Sequence, residues 1–298
     1  MSVTRREFLA GTTLLALSPT AFARATDPGP IKIGIITDAH YADAATRGTR
    51  HYRESMTKIK EAVSIFRQEN IDLAIEVGDL IDAADARSSA AELAFLRQID
   101  HQFQKAGAPR MYVLGNHCVY SLSKGDFLGA VGQASPYFSR DVGGWHVVVL
   151  DACNRKDGVE YDKGNFDWTD TEIPERQREW LAQDLADTES PAIVFVHQRI
   201  DLDKPSYYAV HSASEVRAIL KDSGKVAAVF QGHSHTNEHN RIDGVNYVTL
   251  MAMVEGGGEQ NNAYSVLHCG ADGAIRLVGY RKGAANPFAA ADSVGLSV

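Results

Sequence analysis

The chain has 298 residues, of which 44% are hydrophobic and 23% charged. That length can bury a large core, and the composition excludes collagenous, coiled-coil and wholly disordered chains. A net charge of −8 argues against a nucleic-acid duplex or an anionic membrane surface as partner, since both call for a basic face.

The chain opens on an address. Residues 2–9 read SVTRREFL, a moderately apolar run follows from Leu9 to Leu17, and then comes Ala21-Phe22-Ala23. A basic segment, an apolar segment and an A-x-A site in that order predict a signal peptide over 1–23, cleaved near Ala23. The Arg5-Arg6 doublet within T-R-R-E-F-L resembles a bacterial twin-arginine signal; a Sec signal that happens to hold two arginines is the other reading. The twin-arginine reading makes the export machinery a partner and the periplasm the destination. It also has the protein exported already folded, which suits metal loading in the cytoplasm. Elsewhere no uninterrupted apolar stretch approaches the roughly 18 residues of a membrane anchor. Three cysteines are too few for a disulfide scaffold.

From there, short apolar runs alternate with helical periodicity. Strands are expected at Ile31–Thr37, Ile71–Val77 and Arg110–Leu114, with helices at Tyr52–Asn70 and Ala90–Ala106 between them. In the second half, strands are expected at Trp145–Leu150, Ala192–Val196 and Val226–Gln231, with helices at Pro174–Asp187 and Ser212–Asp222. The Cys153–Ile173 stretch has no periodicity and reads as a functional or disordered loop. Two hairpins close the pattern, at Asp243-Gly244 and Asp272-Gly273, both read as type I′ turns. Residues 24–298 read as one α/β domain, with 283–298 a flexible tail.

The polar residues fall at strand ends. Five apolar runs finish in Asp38-Ala39-His40, in Gly78-Asp79-Leu80-Ile81-Asp82, in Gly115-Asn116-His117, in His197, and in Gly232-His233-Ser234-His235. Ligands of open α/β sheets bind beyond the carboxyl ends of the strands, so parallel strands would gather all five motifs at one edge. A lone D-x-H or G-D carries little weight. Together they supply more imidazole and oxygen donors than one ion needs, and enough for two ions sharing a carboxylate. Such mixed donors suit Mn, Fe, Zn or Co, and the absence of cysteine from the set disfavours a thiolate zinc site.

In this order the motifs resemble those of the calcineurin-like metallophosphoesterases: D-x-H, G-D-x-x-D, G-N-H-[DE], a lone H, and G-H-x-H. The resemblance implies a four-layer α/β/β/α sandwich of two mixed sheets flanked by helices. It implies two divalent or trivalent ions, Mn foremost. Asp38, His40, Asp79 and His235 would hold one ion, and Asp79, Asn116, His197 and His233 the other. Asp79 would bridge them. His117 would be no ligand but a phosphate binder or general acid. A water or hydroxide shared by the ions would attack phosphorus, cleaving a phosphodiester, diphosphate or phosphomonoester.

Within the family, Asp38–Asp43 with Gly48-Thr49-Arg50 and Tyr52-Arg53 looks similar to the manganese-dependent ADP-ribose/CDP-alcohol diphosphatases. That points to a small, nucleotide-like phosphorylated substrate. Tyr41, Arg50 and Tyr120, with His51, Tyr52 and the Cys153–Ile173 loop, are the rim candidates for binding it; rim packing is the other reading of them. Cys118 departs from the pattern, because the family carries Asp or Glu there. It could be a packing residue, a redox-sensitive thiol or a partner of Cys153, and it leaves open a metal-binding envelope protein with impaired turnover.

Overall fold

The computed structural model describes residues 29–83 and 87–284. The expected signal peptide, its cleavage point at Ala23 and nearly all of the expected tail lie outside the described residues.

Sheet one begins with β1 (Ile31–Ile36), whose side chains alternate between two interiors. Ile31, Ile33 and Ile35 face the second sheet, while Ile36 faces the helices. Next comes α1 (Ser55–Glu69), which buries Ile59, Ala62, Val63 and Phe66, one stripe at helical spacing. It stops at Asn70, whose φ of 52° supplies the left-handed C-cap. β2 (Leu73–Glu76), α2 (Ser89–Phe103) and β3 (Arg110–Tyr112) complete the parallel part of the sheet. Ser88 caps α2 by accepting from the Ala91 amide at 3.4 Å.

The short α3 (Lys124–Val131) starts in a capping box between Ser123 and Asp126. The second sheet follows: β4 (Phe138–Val142), β5 (Trp145–Val149), α4 (Glu175–Asp187), β6 (Ala192–Phe195), α5 (Ala213–Ser223) and β7 (Val226–Gln231). The hairpin β8 (Glu238–Ile242) and β9 (Val245–Thr249) extends it. The chain then returns to sheet one as β10 (Ala263–Cys269) and β11 (Ile275–Arg281).

Two mixed sheets result, ordered β11-β10-β1-β2-β3 and β4-β5-β6-β7-β9-β8. Three separate apolar cores show the layering. Ile33, Ile75 and Val113 meet Val147, Phe195 and Phe230 between the sheets. α1, α2 and α3 cover the outer face of sheet one through Phe66, Leu96 and Phe127. α4 and α5 cover sheet two through Leu181, Leu185 and Val216. This is the expected four-layer α/β/β/α arrangement.

Two elements appear that periodicity did not predict, α3 and β4. The first turn is type I′ as expected, with Asp243 at φ 51° and Gly244 at φ 87°. The second differs. Among Gly270–Ala274 only Gly273 has a positive φ, and the Gly273 amide bonds back to the Gly270 carbonyl at 3.2 Å. That is a type I turn ending in a left-handed glycine, which inserts a bulge instead of a two-residue loop. The Cys153–Ile173 stretch contains neither helix nor strand, but it is packed: Tyr161 is fully buried and stacks on Phe166 at 3.8 Å.

Candidate metal centre

The parallel strands of both sheets point their carboxyl ends at one edge. β1 delivers Asp38 and His40, β2 delivers Asp79 and Asp82, and β3 delivers Asn116 and His117. From sheet two, β6 delivers His197 and β7 delivers His233 and His235. Backbone bonds stitch the loops together: Asp38 N to Gly78 O at 2.9 Å, His40 N to Asp79 O at 2.8 Å, and Gly232 N to His197 O at 3.1 Å. The chain is forced to turn hard at these points. Of the nine non-glycine residues with positive φ among the described residues, five are Asp38, His40, Asp79, His233 and His235. Such a backbone is costly for these residue types, and it persists because the surrounding structure over-determines it. Two glycines make the crowding possible. A Cβ at Gly78 would overlap the His197 ring, and one at Gly115 would overlap the Asp79 carboxylate.

The donors converge in overlapping groups. Asp38, His40 and His235 form one, Asp79, His197 and His233 a second, and His40, Asp79 and His117 a third that lies between. Asp38 Oδ1 lies 3.3 Å from His235 Nε2 and 3.6 Å from His40 Nε2. Asp79 Oδ2 lies 3.1 Å from His197 Nε2 and 3.7 Å from His40 Nε2. Among the described residues, the buried atoms Asp38 Oδ1, Asn116 Oδ1, His197 Nε2 and His233 Nε2 make no hydrogen bond, although Asp38 Oδ1 and His197 Nε2 stand within ion-pair distance of His235 and Asp79. Buried polar atoms left unpaired are costly. Four of them aimed into one cage of nitrogen and oxygen donors fit a pair of cations.

The rings are fixed from behind. His40 Nδ1 pairs with Asp82 Oδ2 at 2.9 Å, His197 Nδ1 with the Val77 carbonyl at 2.9 Å, and His235 Nδ1 with Glu255 Oε1 at 2.7 Å. Each Nδ1 faces an oxygen acceptor, so the proton resides there and the Nε2 lone pair is left for the cage. Glu255 is held in turn by Lys58, which is 1% exposed. Its ammonium donates to the carbonyls of Met253, Glu255 and Gly256 at 2.7, 3.0 and 2.7 Å.

Burial opposes charge throughout the site, and opposite charges mostly win. Burial would raise Asp38, but His197, His235 and His40 hold it well below the usual carboxylate range. Asp79 is likewise held low, against burial, by His197, His117 and His40. Burial would lower His197, yet Asp79 and Asp38 push it up to about 9. His235 also reaches about 9, through Asp38 and Glu255 acting against burial. His233 goes the other way, down to about 3, because burial and the neighbouring His197 both disfavour its cation.

This sets a pH dependence. The folded values of His197 and His235 lie above the unfolded value near 6.5, so their pairing stabilises the metal-free chain fully below that pH. The contribution is lost as pH rises through about 9. Melting the EDTA-treated protein from pH 6.5 to 9 should lower Tm by roughly 3–8 °C. Adding Mn should restore more stability at pH 9 than at 6.5, because ligation requires neutral imidazole. A flat metal-free profile would contradict the pairing.

The rim candidates divide. Arg50, Tyr52, Tyr120 and His117 line a cavity of about 690 Å³ beside the cage. Arg50 Nη1 lies 3.6 Å from Asp82 Oδ2 and also lines a second cavity of about 360 Å³ over His233 and His235. Arg87 sits 4.1 Å over the Tyr120 ring. Tyr41 does not meet its expectation. It is buried in the helix-side core, edge-on to Phe95, with its hydroxyl donating to Gln98 Oε1 at 2.9 Å. The turn at His40 sends the next side chain away from the cavity. His51 pairs with Glu54 at 2.9 Å instead of lining either cavity. Cys118 and Cys153 are free, fully buried thiols. Burial pushes both far above the ordinary thiol range, so they pack and do not react. Glu255, Arg47, Arg87, Trp168 and Tyr208 were not singled out from sequence. A glutamate a few residues past an apolar run was the available signal for Glu255.

A calcineurin-like phosphoesterase model matches residues 31–237. The chain belongs to that family. Membership makes it a metal-dependent hydrolase of phosphoric esters by class. A rice protein named manganese-dependent ADP-ribose/CDP-alcohol diphosphatase is 26% identical over 269 residues, covering 74% of this chain and 83% of its own. The Arabidopsis thaliana protein of the same name is also 26% identical, covering 74% and 86%. Among solved structures, a dimetal phosphatase from Danio rerio superposes with a TM-score of 0.72 at 19% identity, over 85% of this chain and 96% of its own. A purple acid phosphatase from yellow lupin gives 0.58 at 15% identity, over 85% and 52%. Both carry the four-layer fold.

Proposed function

We propose that the protein is an exported phosphohydrolase that binds two ions, Mn foremost, and cleaves small phosphodiesters or diphosphates. The observation that supports this most is the set of buried donor atoms on both sides of Asp79 that make no hydrogen bond among the described residues. Asp38, His40, Asp79 and His235 would hold one ion, and Asp79, Asn116, His197 and His233 the other. When bound, the ions supply Lewis acidity and a solvent nucleophile near neutral pH.

The chain's own residues do the rest. Asp82, the Val77 carbonyl and Glu255 keep three rings in the ligating tautomer. His117 faces both cavities and would donate a proton to the leaving oxygen or bind the phosphate. Arg47, Arg50 and Arg87 give the larger cavity a cationic wall in a chain whose net charge is −8. Such a wall suits a second phosphate and focuses anionic substrates. The names of the plant relatives point the same way, toward a diphosphate linking a nucleotide to a sugar or alcohol.

Read as a twin-arginine leader cleaved near Ala23, residues 1–23 would direct the protein to the periplasm. Arg5→Lys together with Arg6→Lys should leave it in the cytoplasm on cell fractionation. Assay of purified protein loaded with Mn, Fe, Zn or Co decides the activity. ADP-ribose should be hydrolysed faster than p-nitrophenyl phosphate, with bis-p-nitrophenyl phosphate also cleaved. No hydrolysis of any of these with any metal would end the enzyme reading.

A further inference from the structure

Single exposed apolar side chains are ordinary, whereas exposed ones that cluster beside a polar site mark a binding surface. Among the described residues, the exposed large hydrophobic side chains are Val159, Trp168, Tyr207 and Tyr208. Two of these four stand at the metal cage. The Trp168 ring lies 5.4 Å from the His233 ring and the Tyr208 ring 5.6 Å from it, with 5.8 Å between Trp168 and Tyr208. Trp168 is 40% exposed and Tyr208 38%. Both line the smaller cavity, as do Asp79 and His235.

The pair is displayed, not dangling. Asp167 Oδ1 accepts from the Thr169 amide at 2.9 Å and its hydroxyl at 2.8 Å, while Tyr161 Oη donates to the Asp167 carbonyl at 3.2 Å. Tyr161 is itself buried and stacked on Phe166, so the turn carrying Trp168 is anchored on both sides. In the second segment, the Tyr208 carbonyl accepts from the Arg199 amide at 3.3 Å. The backbone that carries these two rings is therefore held before anything binds.

We infer that Trp168 and Tyr208 form a stacking platform for the base of a nucleotide-like substrate, on the His233 side of the metal cage. The inference rests on the phosphohydrolase reading and adds a direction to it. Trp168 lines both cavities, and so do Arg50 and His117. The scissile phosphate lies at the cage between them. The base extends over Trp168 and Tyr208, and a further phosphate extends toward Arg47, Arg50 and Arg87. Two tilted rings, 45° apart, offer faces to a planar π system. A quaternary ammonium is recognised differently, by a cage of aromatic faces.

Calorimetric titration of the Mn-loaded full chain tests this with three small phosphates: AMP, ribose 5-phosphate and phosphocholine. AMP should bind about tenfold tighter than ribose 5-phosphate, the scale of one stacked base. Trp168→Ala and Tyr208→Ala should each erase most of that preference, leave ribose 5-phosphate affinity unchanged and retain full Mn content. Trp168→Phe should keep most of it. Equal affinities in the parent protein would overturn the platform. So would equal losses for both ligands in the variants, which mark a structural role, or a Trp168-dependent preference for phosphocholine. The two readings fail separately. AMP preference without hydrolysis of any of the three test substrates sinks the enzyme and spares the platform; hydrolysis without the preference does the reverse.

Discussion

Asp79→Ala is expected to lower turnover by about 10³-fold or more, and to release at least one of the two proposed ions on dialysis. Losing a shared ligand removes the several kcal/mol that an ion pair contributes to a phosphoryl-transfer transition state. Asp79 and His40 each belong to two of the three donor groups, and Asp79 is the carboxylate that joins the His197–His233 group to the one containing His40. Its second job is mechanical: Oδ1 accepts from the His117 amide at 2.7 Å, which fixes the turn after β3. Asp79→Asn separates the two jobs. The amide oxygen still accepts from His117, but the negative charge facing His197 and His40 is gone. Metal analysis beside hydrolysis of ADP-ribose reads both variants. Metal should be lost in each, and melting temperature should fall more in the alanine variant. Two retained ions and parental turnover in Asp79→Ala would remove the shared carboxylate from the mechanism.

The cage was legible in the sequence because each motif is local. An apolar run followed at once by Asp, Asn or His states both the strand and the donor, and parallel pairing then brings the ends together. Asp38, Asp79, Asn116, His197 and His233 needed nothing else. What failed to show depends on contacts between distant segments. Tyr41 follows His40 in the chain, but the left-handed backbone at His40 turns it into the core. Glu255 sits after Met251-Ala252-Met253-Val254, past the end of β9, and only the fold carries it to His235. Trp168 and Tyr208 come from segments without periodicity, so no pattern predicts that they meet at His233. Of the missed elements, α3 contains Gly125 and Gly129, which weaken the helical signal. β4 is an edge strand whose residues are half-buried or exposed, so its alternation is faint.

His117→Ala should cut turnover by about 10²–10⁴-fold, the range of a lost general acid, while both ions stay bound. The case for an acid rather than a ligand is made by Asp82. The family carboxylate that follows this histidine is replaced here by Cys118, which is buried and packed. Asp82 Oδ2 lies 3.2 Å from His117 Nδ1 and also holds His40 at 2.9 Å. Burial disfavours the His117 cation, but Asp79 and Asp82 outweigh it and raise its pKa above the ordinary histidine value. These carboxylates make the ring hold its proton more tightly than an ordinary imidazole, and the residue lines both cavities. A rate that needs this proton falls as pH rises through the His117 pKa. Asp82→Asn removes one of the charges that raise that pKa, so the alkaline limb of kcat should move to lower pH. Against this stands the third donor group, in which His117 lies within reach of the same point as His40 and Asp79. Metal content decides between the roles. An acid leaves both ions in place when it is deleted, whereas a ligand takes one away, and loss of an ion from His117→Ala would move this residue from proton donor into the cage.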